Sequence, residues 1–211
     1  KEWKIKNAGS YRIRILPPIN EEDNIYHTHS YHFVPDIGPN KKGVYVYSKK
    51  KYIVDGNEVR CPIDQAVSEW YDSKDPSLIS DAAKIKRKRH FYFQVINLDE
   101  EDPEKKFRIL VDTTSNGKLA RVICSKMGIP FYRDIEDGWI DKGSEEVDPD
   151  FKPIDLVDLK NGCDFKIVKN TTGKDPWDIS FEKSFALEER ELGKEELELL
   201  KQRVNLKTLV E

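Results

Sequence analysis

Residues Lys84-Ile85-Lys86-Arg87-Lys88-Arg89-His90-Phe91-Tyr92-Phe93-Gln94-Val95-Ile96 pass from dense positive charge straight into aromatic and β-branched side chains. The second half has strand character, so one strand must begin among groups that demand water and continue among rings that do not. An edge strand guarded by Lys and Arg against sheet-to-sheet pairing meets that demand. So does a groove whose cations follow a phosphate backbone while its flat rings stack on unpaired bases.

The surrounding sequence favours a small β fold. Tyr11-Arg12-Ile13-Arg14-Ile15-Leu16 alternates as a strand and stops at Pro17-Pro18. Residues 26–33 alternate ring and polar side chains. Residues 44–47 and 51–54 form short strands, followed by a turn at Asp55-Gly56-Asn57. Residues 64–71 predict a short helix with Ala66, Val67 and Trp70 on one stripe. The basic-aromatic strand runs over 89–98, closes at the acidic stretch 99–104 and returns over 107–111. A helix over 118–127 ends at Gly128 and Pro130. Asn161-Gly162 signals a tight turn before a strand over 164–169. Residues 177–185 read as a last strand, and 188–209 as a charged helix with Leu192, Leu197, Leu200 and Val204 on one side. Short twisted strands with few helices suit a small barrel with additions better than a parallel α/β sheet.

Composition narrows the function classes. No apolar run approaches the roughly 20 residues of a membrane-spanning helix, and residues 1–6 hold no signal-type stretch. The first residue is Lys rather than Met, so the chain is expected to begin inside a longer gene product. The net charge is −3, but it is patterned: basic blocks at 41–42, 49–51 and 84–89, acidic blocks at 21–23, 99–104 and 188–198. A local basic face binds phosphates whatever the total. Three widely spaced cysteines argue against a disulfide framework and for a reducing compartment. Cys124 and Cys163, set among apolar residues, read as small buried hydrophobes. No P-loop, Gly-x-Ser-x-Gly or His-Glu-x-x-His pattern is present.

Five pieces in order carry a family resemblance. They are Glu2-Trp3-Lys4-Ile5 with Asn7-Ala8-Gly9 and Ile13-Arg14-Ile15-Leu16-Pro17; Cys61-Pro62-Ile63; Lys86-Arg87-Lys88 with Phe91-Tyr92; Asp155-Leu156 with Gly162-Cys163-Asp164-Phe165-Lys166-Ile167; and Gly173 with Trp177-Asp178 and Ser180. Together they resemble the core domain of the T-even bacteriophage helix-destabilising single-stranded DNA-binding proteins. The resemblance implies an OB-fold, a five-stranded Greek-key barrel, as one core domain over 1–211. It carries an inserted lobe over roughly 27–83 and a helical C-terminal extension over roughly 186–211. It also implies a non-enzymatic protein that coats single strands without sequence preference during phage DNA replication, recombination and repair, in the cytoplasm of an infected bacterial host.

Carried over residue by residue, the family's basic triplet falls on Lys86, Arg87 and Lys88. Its following tyrosine falls on Phe91, the adjacent tryptophan on Tyr92, and its late-loop tyrosine on Trp177. Lys84, Arg89 and Arg108 add charge. Strand alternation sets Phe91 and Tyr92 on opposite faces, so one is expected in the groove and the other in the core.

The resemblance breaks at the lobe. The family holds zinc there with one His and three Cys. Here Cys61 remains, Asp64 stands three residues on, and the earlier cysteine falls near Tyr47 or Ser48. His32, or else His29, fills the histidine position, and His27 or His29 would have to complete the set. Structural zinc takes four N or S ligands. The expectation is a lobe without metal, held by packing of Tyr31, Phe33, Tyr45, Tyr47, Tyr52 and Trp70. The family's basic N-terminal arm has no counterpart before Lys1, nor its acidic tail after Glu211. Weak cooperativity is therefore expected, with contacts to phage replication and recombination proteins running through segments outside this sequence. The alternatives are a metal-dependent nuclease and a scaffold whose surface aromatics bind protein.

Overall fold

The structure is a computed structural model that describes residues 1–37, 41–48, 51–114, 116–135, 139–141, 152–171 and 179–210. Strands β1 (Glu2–Trp3), β2 (Gly9–Ile15), β3 (Tyr26–Val34), β4 (Val44–Tyr47), β5 (Lys51–Val54) and β6 (Asn57–Arg60) lead into helices α1 (Pro62–Asp72) and α2 (Pro76–Ile85). Then come β7 (Lys88–Asn97), α3 (Pro103–Lys106), β8 (Phe107–Asp112), α4 (Lys118–Met127), β9 (Phe131–Asp134) and β10 (Trp139–Asp141). The chain closes with β11 (Cys163–Thr171), β12 (Ile179–Ser180), β13 (Phe185–Glu189), α5 (Lys194–Leu199) and α6 (Leu206–Val210). The fold is mainly β with a few helices. It divides into a first unit (Lys1–Thr28, His90–Arg133, Ile140–Glu211) and a second (His29–Arg89, Asp134–Trp139). Among the described residues no helix is long and apolar enough to cross a membrane.

The first unit is built on a mixed sheet in the order β1-β8-β7-β2-β11-β12, with β13 also on β11. β1 runs parallel to β8, and the other ladders are antiparallel. This order is open. β7 lies between β2 and β8, and both its faces are covered. Phe91 and Phe93 pack on one face against Tyr26, at 6.2 and 5.3 Å between centroids, and Phe91 also meets Phe131 at 5.4 Å. Tyr92 and Ile96 pack on the other, in a cluster with Leu192, Leu199 and Leu206. Between them Gln94 is buried and accepts a hydrogen bond from the Val204 N–H at 2.8 Å.

The C-terminal part departs from the single helix expected over 188–209. Residues 188 and 189, expected to open that helix, join residues 185–187 in β13, because pairing with β11 outweighs their helix propensity. Gly193 opens α5, its N–H donating to Glu196 Oε2 at 2.8 Å. A 3-10 turn at Leu200–Gln202 separates α5 from α6. Leu199 and Leu206 become the buried residues, and Leu197 is exposed.

Arg14 is completely buried within the first unit. Its guanidinium donates to the carbonyls of Gly162 (2.6 Å), Asp158 (2.6 Å) and Arg190 (3.2 Å), and to Asp164 Oδ1 at 3.3 Å. Both terminal nitrogens are satisfied in this way, which offsets the cost of burying the cation, while Nε has no hydrogen-bond partner among the described residues.

The second unit contains two antiparallel hairpins, β3–β4 and β5–β6, and the helix pair α1–α2, whose residues pack together. Helix α2 was absent from the sequence expectation. Asp75 is its N-cap, accepting from the Ser77 N–H at 2.8 Å, and Pro76 takes the first position.

Candidate nucleic-acid interface

The basic segment joins α2 to β7. The Lys86 N–H caps α2 by donating to Ala82 O at 2.8 Å, and the backbone then extends into β7. Lys84, Lys86 and Lys88 are exposed; Arg87 and Arg89 are half-buried. Lys84 forms a 2.7 Å exposed ion pair with Asp81, worth little in stability. Lys86, Arg87 and Arg89 line a cleft of about 970 Å³ in the second unit, together with Arg60 from β6. Asp64, Glu69 and Asp72 of α1 line it too. Four basic groups therefore face three carboxylates, and two of the seven, Arg87 and Asp64, neutralise each other. Arg60 is the cleft residue that sequence reasoning missed. Its signal was weak, a lone Arg ahead of Cys61-Pro62.

The aromatic part of the expected site does not form around Phe91 and Tyr92. Phe91 is 0% exposed and Tyr92 is 6% exposed. Both rings are core, not one core and one groove, because β7 is an inner strand with cover on both faces. Neither offers a face to a base. They belong to the first unit and the basic segment to the second. Arg108 is also in the first unit, half-buried and 3.5 Å from Glu100. Trp177 lies outside the described residues.

The lobe cluster has a defined geometry. His32 Nδ1 lies 2.7 Å from the Ile85 carbonyl, which fixes it as the N–H donor. Nε2 lies 3.5 Å from Cys61 Sγ and 3.5 Å from Asp64 Oδ1. The Ser48 hydroxyl approaches the same sulfur at 3.6 Å. Among the described residues His32, Cys61 and Asp64 form a group able to hold a metal ion. His29 lies on the opposite hairpin face, beside Tyr47 at 5.0 Å. His27 falls in the first unit. The three donors do not complete a closed four-ligand zinc site: the fourth neighbour is a neutral hydroxyl, and the other Asp64 oxygen, Oδ2, is already bonded to the Arg87 guanidinium.

The rings proposed to hold the lobe divide. Tyr31, Phe33, Tyr47 and Trp70 are half-buried, but Tyr45 is 74% exposed and so packs little. The Tyr52 side chain lies outside the described residues. The three cysteines are free and buried. Burial pushes the Cys124 thiol up to about 12 and also raises that of Cys163, so neither is a ready nucleophile. No protein-family model matches the chain, and no curated protein matches it.

Proposed function

We propose that this chain is a non-enzymatic single-stranded DNA-binding protein of the T-even phage type. In this reading the first unit is an OB-fold core extended by the C-terminal helices, and the lobe over roughly 27–83 is its insertion. The protein coats unpaired strands during phage replication, recombination and repair in the host cytoplasm. The observation that carries the reading is the convergence of Arg60, Lys86, Arg87 and Arg89 on one cleft, with exposed Lys84 and Lys88 alongside in sequence. Cations in a groove track a phosphate backbone, and releasing counterions drives binding. The resemblance in five ordered motifs supports the same conclusion.

Titration of a labelled oligothymidylate and of a duplex, each at two ionic strengths, tests it. The single strand binds more tightly, with affinity falling steeply as salt rises, by a log–log slope of about 0.7 per phosphate contacted. Equal affinity for the duplex, or indifference to salt, overturns the reading. Cleavage of the labelled strand with magnesium or manganese would establish the nuclease instead.

A further inference from the structure

The β3–β4 hairpin carries a ladder of rings on one face. Its register sets Tyr31 opposite Tyr47 and Phe33 opposite Tyr45. Strand alternation then places His29, Tyr31, Phe33, Tyr45 and Tyr47 on the same side, and His32 on the other. Tyr45 is central to the outer part of the ladder, 5.0 Å from Phe33 and 5.4 Å from Tyr31 between centroids. Lys88, from the basic segment, brings Nζ to 5.9 Å from the Phe33 ring centroid. The residues just before β4 add exposed Lys41 and Lys42, and exposed Asp36, shortly after β3, is the opposing charge.

Cross-strand ring pairs stabilise a two-stranded hairpin. That accounts for Tyr31, Phe33 and Tyr47, which are half-buried. Phe33 is also pressed against Gly43, where an added Cβ would stand 2.6 Å from the ring. The pairing explains the contact of Tyr45 with Phe33 but not why Tyr45, 74% exposed, is left open to water on a face flanked by cations.

We propose that Tyr45 is the stacking platform for an unpaired base, with Lys88, Lys41 and Lys42 taking the adjoining phosphates. This rests on the single-strand reading above and supplies the ring that Phe91 and Tyr92, both buried, do not. Tyrosine suits the position: its face stacks on any base, and its hydroxyl keeps the ring edge wet when no strand is bound.

The test is an anisotropy titration of a short oligothymidylate with the wild type and with Tyr45→Ala, Tyr45→Phe and Lys88→Gln. Each variant is first checked for an unchanged circular dichroism spectrum and thermal midpoint. Tyr45→Ala weakens binding about tenfold or more, without changing the salt slope. Tyr45→Phe stays within about twofold. Lys88→Gln flattens the slope by about 0.7. An oligonucleotide carrying 2-aminopurine is quenched by the wild type and less so by Tyr45→Ala. Wild-type binding that Tyr45→Ala leaves intact overturns the platform alone. A wild type that binds no single strand overturns the platform and the parent reading together.

Discussion

Arg87 and Asp64 are ion-paired across the second unit, the guanidinium from the basic segment and the carboxylate from the first turn of α1. The Arg87 side chain is 7% exposed and that of Asp64 is 32% exposed. The arrangement therefore belongs as much to the lobe's structure as to any groove.

Arg87→Ala leaves the carboxylate beside His32 without its cation. A charge-assisted hydrogen bond in a partly buried setting contributes about 1.5–3 kcal/mol. The variant should unfold in urea with a midpoint lower by that equivalent, whereas Lys86→Ala and Lys88→Ala, both exposed, should stay within about 0.5 kcal/mol of wild type. An Arg87→Ala protein as stable as wild type would remove the pair from any structural role.

The same pair bears on metal. Elemental analysis of the purified protein should find zinc well below one equivalent, and a chelator should leave the thermal midpoint in place. Stoichiometric zinc, or a midpoint that falls with chelator, would show that Asp64 exchanges Arg87 for the ion.

Phe91 should report on stability rather than on binding. Phe91→Ala removes a fully buried ring from contact with Tyr26 and Phe131, at a cost of about 3–5 kcal/mol. Tyr92→Leu, which removes the ring, should change the oligonucleotide affinity of the folded protein by less than about twofold, since the buried ring offers no face to a base. A loss of about tenfold or more in folded Tyr92→Leu would return this residue to the groove.

Acid should loosen the C-terminal helices first. Glu196 is held below its ordinary 4.5 mainly by hydrogen bonds from Arg190, at 2.7 Å to each carboxylate oxygen. A depressed carboxylate contributes its stability in full above the unfolded value, and loses it as pH falls through the lower, folded value. Thermal midpoints should therefore decline below about pH 4.5, and Glu196→Gln should decline less over that window. Equal declines for both proteins would place the acid sensitivity elsewhere.

Gly162→Ala should be costly for want of space. A Cβ there would stand 2.3 Å from Asp158 O and 2.8 Å from Arg14 Nη2. The turn and the buried guanidinium would both have to shift, at about 1–3 kcal/mol. Gly56→Ala meets nothing within 4 Å and pays only for its left-handed backbone, φ +78°, about 1 kcal/mol. Urea midpoints of the two variants should rank in that order.

Much of the fold was legible because its signals are local. Local pattern placed β4 and β5 to the residue and β2 within two residues at each end, and Gly128, at φ +65°, ends α4 where a C-terminal glycine is expected. Helix α2 was missed although Asp75-Pro76 is a start signal, since its apolar residues make only a short stripe. The fate of 185–189 depended on a ladder with β11, which no local pattern reveals. The site was legible in its cations and not in its rings. Alternation tells which faces Phe91 and Tyr92 point to, but only tertiary structure shows that both faces of β7 are roofed. Tyr45 had the same parity as Phe33 and Tyr31 in outline. That it stays open to water could not be read from Val-Tyr-Val-Tyr.

Arg14 gathers carbonyls that lie 144, 148 and 176 residues further along the chain. On the ribosome, then, the strand that carries Arg14 holds an unmatched guanidinium until residues 158–190 emerge and supply its acceptors. Consolidation of the first unit must wait for that distant segment, a late closure that long-range contacts impose.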